Sequence, residues 1–228
     1  MKIYDVEQGS QEWLKLRLGR PTASNFSRII TAKGRKLSKS ADGYIDQLLG
    51  EQGALHMPAR APDYTRNSAI QWGVETEAEA RRWFQMESGL KIAKVGFITT
   101  DDGRFGCSPD GLVIDTNGKT IGGLELKCPQ PEAHMRWTRE TACGHFPAEH
   151  IAQVHGCMVV TGLPCWWFVS YCPGLEPICH PVGPDMFTEE LRVCLESFWL
   201  RYQQIRQLLG LQSKNDMVES EPFAAPEF

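Results

Sequence analysis

The sequence predicts an α/β or α+β fold, in which strands in the middle and later parts of the chain are flanked by helices. Apolar residues recur at helical spacing in the first third, β-branched and aromatic residues dominate the middle, and a long amphipathic helix follows the last strands. Helices are expected at about 11–18, 41–52, 66–88, 147–160 and 186–209, and strands at 91–99, 112–115, 120–127, 165–171 and 176–182. This alternation packs as a central sheet covered by helices.

The helices of the first third have recognisable ends and faces. Gly19 closes the helix at 11–18, because glycine readily adopts the left-handed conformation found after a helix. Thr22 is expected to cap a short second helix through its hydroxyl. The buried side predicted for the long helix at 66–88 consists of Trp72, Val74, Ala78, Trp83 and Phe84.

The C-terminal part is predicted to supply much of the core. Strand alternation buries Trp166 and Phe168 on one face, and this favours a core role over stacking on nucleic-acid bases. One stripe of the last helix is formed by Leu191, Leu195, Phe198, Tyr202, Ile205 and Leu209. We expect residues 1–211 to form a single domain and the polar segment 212–228 to be a disordered tail.

The composition is that of an ordinary globular protein, with 42% hydrophobic and 23% charged residues. No apolar run approaches the roughly 18–20 residues that span a membrane, and the N-terminus lacks the apolar stretch of a secretory signal. We therefore expect no membrane association and a cytoplasmic location. The eight cysteines include no Cys-x-x-Cys pair, which predicts unpaired structural thiols instead of disulfides, zinc or an iron–sulfur cluster.

The net charge of −4 counts against a wide nucleic-acid-binding surface. A local basic patch, such as the loop at 33–39, is enough to grip a few nucleotides. Carboxylates that hold a metal ion also lower the total charge. An enzyme that acts on nucleic acid is therefore not excluded.

A tight turn and a hairpin bring two carboxylates together. The segment Ser108-Pro109-Asp110-Gly111 has the composition of a turn, and Asp110 leaves that turn to enter a strand. Asn117-Gly118 is the strongest short-range hairpin signal, and a two-residue loop there fixes the pairing register. Counting outward from this loop places Asp110 opposite Glu125, with Cβ atoms about 5 Å apart.

The second strand of the hairpin places a lysine beside these carboxylates. Alternation puts Lys127 on the same face as Glu125, while Leu124 and Leu126 face the other way. A bulge at Gly122-Gly123 would shift the register by one residue and break the pairing of the carboxylates. Without that shift, one face of the sheet displays an aspartate, a glutamate and a lysine close together.

Three such groups have the composition of a metal-dependent nuclease centre. Two opposed carboxylates repel each other unless a cation lies between them. Mg²⁺ is typically held by one or two carboxylates and a substrate phosphate, and two such ions about 3.5–4 Å apart support phosphodiester cleavage. Lys127 can orient the attacking water or offset charge on the phosphate. On spacing alone, a surface aspartate and a surface Glu-Lys pair near a turn stays an alternative, because short motifs recur by chance.

Longer stretches of the chain resemble a known family. The matching segments lie at 13–19, 22–24, 72–77, 107–112, 124–129 and 152–154. In order and content they resemble the phage lambda exonuclease and YqaJ-type viral recombinase family, within the PD-(D/E)XK nuclease superfamily. The chain beyond residue 175 matches only loosely. The resemblance implies a restriction-endonuclease-like fold, in which a central mixed sheet is flanked by helices.

The resemblance also implies roles for individual residues. The implied metal ligands are Asp110, Glu125 and the main-chain carbonyl of Leu126. The other catalytic residues implied are Lys127, Glu77 and Gln153. The residues implied to bind the 5′-phosphate of a DNA end are Arg17, Ser24 and Ser108. The implied cofactor is Mg²⁺, with two ions expected and Mn²⁺ as an alternative.

Members of the family digest linear double-stranded DNA from the 5′ end, release mononucleotides and leave a 3′ single strand. They form ring-shaped homotrimers around DNA and work beside a single-strand annealing protein. By resemblance, we expect the same activity and partners here, in the cytosol of a bacterium or a phage-infected host.

The residues outside the central motif also have simpler interpretations. Arg17 can pair with a nearby glutamate, although a guanidinium suits the two oxygens of a phosphate. Ser24 can act as a plain helix cap, and Trp13, one turn before Arg17, can pack against a DNA end. Glu77 can pair with the arginine four residues later, and Gln153 can bond a backbone carbonyl instead of facing a metal site.

Three functional hypotheses follow from these observations. The first is a processive 5′→3′ exonuclease, and the second is an endonuclease of the same superfamily or a CRISPR-adaptation nuclease. The missing iron–sulfur cysteines disfavour the adaptation type. The third is a non-catalytic protein that binds DNA ends, against which the intact Asp110, Glu125 and Lys127 argue. Loss of one carboxylate discriminates, because a pure binding protein should tolerate it.

Overall fold

A computed structural model of the chain describes residues 1–31, 36–53 and 68–211, with the backbone alone described for 68–75. The helices are α1 Gln11–Arg17, α2 Ala41–Gly53, α3 Ser68–Ser88, α4 Pro131–Ala142, α5 Ala148–Thr161 and α6 Met186–Leu208, with a 3-10 helix at Ala23–Arg28. The strands are β1 Lys2–Tyr4, β2 Lys91–Ala93, β3 Phe97–Thr99, β4 Gly106–Cys107, β5 Gly111–Ile114, β6 Thr120–Lys127, β7 Trp166–Ser170 and β8 Ile178–Val182. The predicted tail at 212–228 and residues 33–35 of the predicted basic loop lie outside the described residues.

A five-stranded mixed sheet forms the centre of the fold, in the order β2-β5-β6-β7-β8. β6 and β7 are parallel, whereas the other neighbouring strands are antiparallel. A smaller sheet has the order β1-β3-β4. The segment 91–99, predicted as one strand, contributes to both sheets. It divides near Gly96, where an added Cβ would lie only 1.9 Å from the carbonyl oxygen of Val6.

The two faces of the large sheet bury different sets of helices. On one face, α5, α6 and the 3-10 helix pack with Trp166 and Phe168, both fully buried as predicted. On the other face, α3 packs through Ala80 and Phe84 against Leu124. Burying each large apolar side chain contributes roughly 1.5–3 kcal/mol, so both faces stabilise the position of β6.

The hairpin between β5 and β6 differs from its predicted form in two ways that cancel. The loop has three residues instead of two, because the N–H of Asp115 bonds the carbonyl of Lys119 and Gly118 takes a positive φ of 82°. Ile121 is then an extra residue on β6, since Ile114 pairs with Thr120 but Val113 pairs with Gly122. This bulge restores the predicted register, in which Gly111 pairs with Leu124.

Four other features differ from what the sequence predicts. Helix α4 was not predicted, because only His134 and Trp137 of its residues are buried and its apolar stripe is thin. Ala78 is exposed instead of buried, since the packed side of α3 follows Thr76, Ala80 and Phe84. Leu209 lies past the end of α6 and is 58% exposed. Thr22 precedes the 3-10 helix, but its side chain makes no capping hydrogen bond.

The eight cysteines are all unpaired, as predicted, and four of them are buried. Among the described residues, no helix has the length and apolar character needed to cross a membrane.

Candidate functional site

Asp110 lies at the bend immediately before β5, where main-chain contacts fix it against β6. Its N–H donates to the carbonyl of Leu124 at 3.0 Å, and its Oδ2 accepts from the N–H of Leu126 at 2.6 Å. The next residue, Gly111, admits no side chain, because a Cβ would lie 2.2 Å from a side-chain atom on β2. The two contacts therefore hold Asp110 against β6 and close to Glu125, one residue before the paired part of β5 begins at Gly111.

The Glu125 side chain is almost completely buried beside a lysine and an amide. Its Oε1 accepts from Lys127 Nζ at 2.6 Å and from Gln153 Nε2 at 2.5 Å. Lys127 thus shares a face with Glu125, as alternation predicts, and Gln153 reaches it from α5. The second carboxylate oxygen, Oε2, is buried and has no hydrogen-bond partner. One acceptor of a buried acidic group is therefore left for a further ligand.

Burial and neighbouring charges shift the pKa values of Asp110 and Lys127. Burial, and after it the charge of Glu125, raises the pKa of Asp110 well above its ordinary value. Burial alone would lower the pKa of Lys127, but the charges of Glu125 and Asp110 outweigh it and the pKa is raised. The lysine is therefore an ammonium, and two carboxylates beside it leave an excess of negative charge when both are ionised.

A divalent cation fits these groups chemically. The unpartnered oxygen of Glu125 and the raised pKa of Asp110 both mark a place where added positive charge is favourable. The N–H of Leu126 points to Asp110, and the carbonyl of a strand residue points to the same side as its N–H, so a main-chain oxygen lies there too. Among the described residues, no three His, Cys, Asp or Glu side chains cluster closely enough to hold a metal. The groups that could hold a cation here are therefore two carboxylates and one main-chain carbonyl.

A second polar group surrounds Arg17. The guanidinium lies over the ring of Trp13, 4.3 Å from its centroid, and donates to Ser108 Oγ at 3.1 Å and Ser24 Oγ at 3.3 Å. Trp13 Nε1 also donates to Ser108 Oγ, at 2.9 Å. A hydroxyl that accepts in this way keeps its own proton, so Ser24 and Ser108 can still donate to an anion. The arrangement suits a phosphate.

One cavity of about 220 Å³ joins these two groups. Its lining includes nearly all of the predicted site residues: Trp13, Arg17, Ser24, Ser108, Asp110, Glu125, Lys127 and Gln153. The sequence therefore identified groups that are separated along the chain but meet in space. An anion-binding end and a carboxylate end open into the same volume.

Glu77 does not line this cavity. Its carboxylate pairs with Arg81 at 2.6 Å, which is the i,i+4 contact that the simpler interpretation describes. Both residues line a neighbouring cavity of about 440 Å³, which also touches Asp110. Glu77 is thus close to the site but separated from the cavity that holds Glu125.

Three residues in or beside the cavity were given no role at the site from the sequence: Gln8 and Cys157, which line it, and Thr22, which does not. Thr22 Oγ1 lies 3.3 Å from Ser24 Oγ, and its place in a matched Thr-Ala-Ser segment was the available signal. Gln8 lines both cavities and binds main-chain carbonyls, and nothing in its local sequence marks it. Cys157 lines the 220 Å³ cavity, and burial raises the pKa of its thiol well above the usual range.

Comparisons with known proteins agree with this geometry. The sequence profile of the YqaJ-like viral recombinase domain matches residues 12–164. The crystal structure of an alkaline exonuclease from Laribacter hongkongensis superposes with a TM-score of 0.72 and 28% identity, over 88% of this chain and 96% of that one. The same exonuclease in complex with dAMP gives 0.67 and 27%, over 88% and 98%.

A phage-related exonuclease from Haemophilus somnus has a TM-score of 0.60 at 13% identity, over 83% of this chain and 96% of that chain, and at this identity it supports the fold alone. No curated protein matches the sequence. The matches confirm the resemblance found in the sequence and the predicted fold, a mixed sheet flanked by helices.

Proposed function

Because the chain belongs to the family of YqaJ-like viral recombinase domains, we propose that it is a Mg²⁺-dependent exonuclease acting on linear duplex DNA. It digests from the 5′ end, releases 5′-mononucleotides and leaves a 3′ single strand. The observation that carries the proposal is the single cavity in which Arg17 and its hydroxyls face the Asp110, Glu125 and Lys127 group. An enzyme that holds a terminal phosphate while hydrolysing the next phosphodiester needs both ends in one volume.

The residues at the carboxylate end have distinct roles in this proposal. Asp110, Glu125 and the Leu126 carbonyl hold Mg²⁺, or Mn²⁺ in its place. When bound, the metal supplies a Lewis acid for phosphodiester hydrolysis. Gln153 holds Oε1 of Glu125, which leaves the other oxygen as the ligand. Lys127, already cationic, donates to the phosphate oxygens as charge develops on them.

The anion-binding end determines which DNA ends are used. Arg17, Ser24 and Ser108 donate to the terminal 5′-phosphate, and Trp13 keeps the guanidinium in place. Hydrolysis of the bond between phosphorus and the 3′ oxygen releases the mononucleotide and leaves a new 5′-phosphate on the strand. The product of one cycle therefore carries the group that is bound in the next.

The test is digestion of a linear duplex with Mg²⁺, comparing 5′-phosphate with 5′-hydroxyl ends, for the wild type and Asp110→Ala. We expect mononucleotide release, faster from the phosphorylated end, and an inactive variant. Equal cutting of closed circular DNA would make the protein an endonuclease. End binding by both proteins without digestion would make it a non-catalytic end-binding protein.

The proposal extends to the assembly. We propose a ring-shaped homotrimer that encloses the duplex and delivers the 3′ strand to a single-strand annealing protein. The support for both partners is the family resemblance of the sequence.

A further inference from the structure

The backbone on either side of the Asp110 Cα is held by two side chains from distant parts of the chain. Gln8, in the segment between β1 and α1, donates its Nε2 to the carbonyl of Pro109 at 2.9 Å and to that of Val95 at 3.0 Å. Arg81, on α3, donates to the carbonyl of Asp110 itself. Two successive carbonyls, one before and one after the Asp110 Cα, are thus each anchored.

These anchors complete the set of contacts around one residue. The N–H and Oδ2 of Asp110 are bound to β6, through Leu124 and Leu126. With Gln8 and Arg81 in place, both peptide units around Asp110 are fixed in orientation, and the direction of its carboxylate follows from them. Both neighbours of the Gln8 amide are carbonyl oxygens, so only the amide nitrogen can face them.

The Arg81 guanidinium has a second contact that matters for the same site. It pairs with Glu77 while bonding Asp110, so one fork joins an acidic side chain and the main chain of the metal-site aspartate. Arg81 is mostly shielded from solvent, with 16% of its side chain exposed. A planar guanidinium can make both bonds at once, whereas a lysine ammonium in its place lacks the fork.

We propose that Gln8 and Arg81 are positioning residues that fix the orientation of Asp110 for metal binding. The inference rests on the proposed function, since it concerns the metal site of that reaction. Partners that orient a metal ligand without touching the metal typically change affinity by about 10–100-fold. Neither residue contacts the reacting atoms, and neither lies in the Asp-Glu-Lys motif from which the site was predicted.

The experiment measures Mn²⁺ binding without DNA, from the loss of the free-ion electron paramagnetic resonance signal. Gln8→Met removes the amide donor, and Arg81→Lys keeps the charge but removes the fork. We expect each to weaken Mn²⁺ binding by about tenfold or more. The matched controls are Gln11→Met on α1 and Arg82→Lys on α3, both at exposed positions, and these should bind as the wild type does.

Thermal unfolding in EDTA separates positioning from a purely structural role. The inference requires weaker Mn²⁺ binding by Gln8→Met with an unfolding midpoint close to that of the wild type, and this variant decides the question if Arg81→Lys fails to fold. Wild-type affinity in Gln8→Met, or a loss seen only together with a large drop in the midpoint, overturns the inference. If the wild type itself binds no Mn²⁺, the proposed function fails first and the inference falls with it.

Discussion

The two ends of the 220 Å³ cavity differ in how their polar atoms are satisfied. At one end, the Arg17 guanidinium is stacked on Trp13 and hydrogen-bonded to hydroxyls that keep protons to donate. At the other, Glu125 has a buried oxygen without a partner, and burial with a neighbouring negative charge raises the pKa of Asp110. One end therefore presents hydrogen-bond donors that suit an anion, whereas the other carries an excess of negative charge that a bound cation would offset.

The largest expected effect is at the carboxylate end. Glu125→Gln keeps the size of the side chain but removes the charge, so we expect digestion of a 5′-phosphorylated duplex to slow by more than about 100-fold, the upper range for outer partners of a metal. Initial rates at saturating Mg²⁺ measure it. Glu132→Gln, at an exposed position of α4, is the control. A Glu125→Gln enzyme with near-normal rates would remove this residue from the proposed metal site.

An intermediate effect is expected at the anion-binding end. Arg17→Lys keeps the charge but loses the two-pronged contact, and a hydrogen bond to a charged group contributes roughly 1.5–3 kcal/mol. We expect the ratio of rates on 5′-phosphate and 5′-hydroxyl ends to fall about tenfold or more, while the rate on hydroxyl ends changes little. Arg139→Lys, an exposed arginine on α4, should leave the ratio unchanged. An unaltered ratio in Arg17→Lys would place 5′-phosphate recognition elsewhere.

The smallest expected effect is on thermal stability, and it tests the negative charge at the carboxylate end. The pKa of Asp110 is raised in the folded protein. The free energy of unfolding therefore falls as pH rises from the ordinary aspartate pKa, near 4, to the raised pKa of Asp110, because ionisation is easier in the unfolded chain. At pH 8 in EDTA, Asp110→Asn should therefore unfold at a higher temperature than the wild type, by about 2–4 °C for each kcal/mol gained.

The difference should vanish at a pH below the ordinary aspartate value, where the wild-type carboxyl is also protonated in both states. Added Mn²⁺ should reverse the order, because only the wild type then gains stability from binding. Differential scanning calorimetry measures the unfolding midpoints in EDTA and in Mn²⁺. A lower midpoint for Asp110→Asn than for the wild type in EDTA at pH 8 would contradict an unfavourable charge on Asp110 in the folded protein.

The sequence predicted the register beside the site, in which Gly111 pairs with Leu124, for a reason that was only partly right. The loop is longer than its Asn-Gly signal suggests, and Ile121 compensates for it. A bulge leaves little trace in the amino-acid composition. The observed bulge at Ile121 lies next to Gly122-Gly123, the position at which a bulge was predicted to shift the register. Gly123 itself is a site of close packing, since a Cβ there would lie 2.2 Å from the ring of Trp166. That contact belongs to β7, about forty residues later in the chain, and local sequence cannot show it.

The rest of the site shows the same limit. Glu125 and Lys127 were predicted from their spacing on one strand, and Gln153 from the family resemblance alone. Gln8 and Arg81 act through main-chain carbonyls, and any residue can supply a carbonyl, so no sequence pattern marks either partner. Helix α4 was not predicted because its buried face has no run of aliphatic residues. That face consists of His134, hydrogen-bonded to Ser170, and Trp137, hydrogen-bonded to Glu149.

The bulge at Ile121 has a practical consequence for spectroscopy. Because pairing from Val113 to Gly111 is set on the site side of the bulge, the exposed tip at 116–118 can be altered without moving Asp110 along β6. A spin label on a cysteine at Asn117 would lie about 20 Å from Asp110, at roughly 3.3 Å for each strand residue. That separation suits distance measurements to a bound paramagnetic ion, so the hairpin tip offers a fixed reference point from which the site can be located in solution.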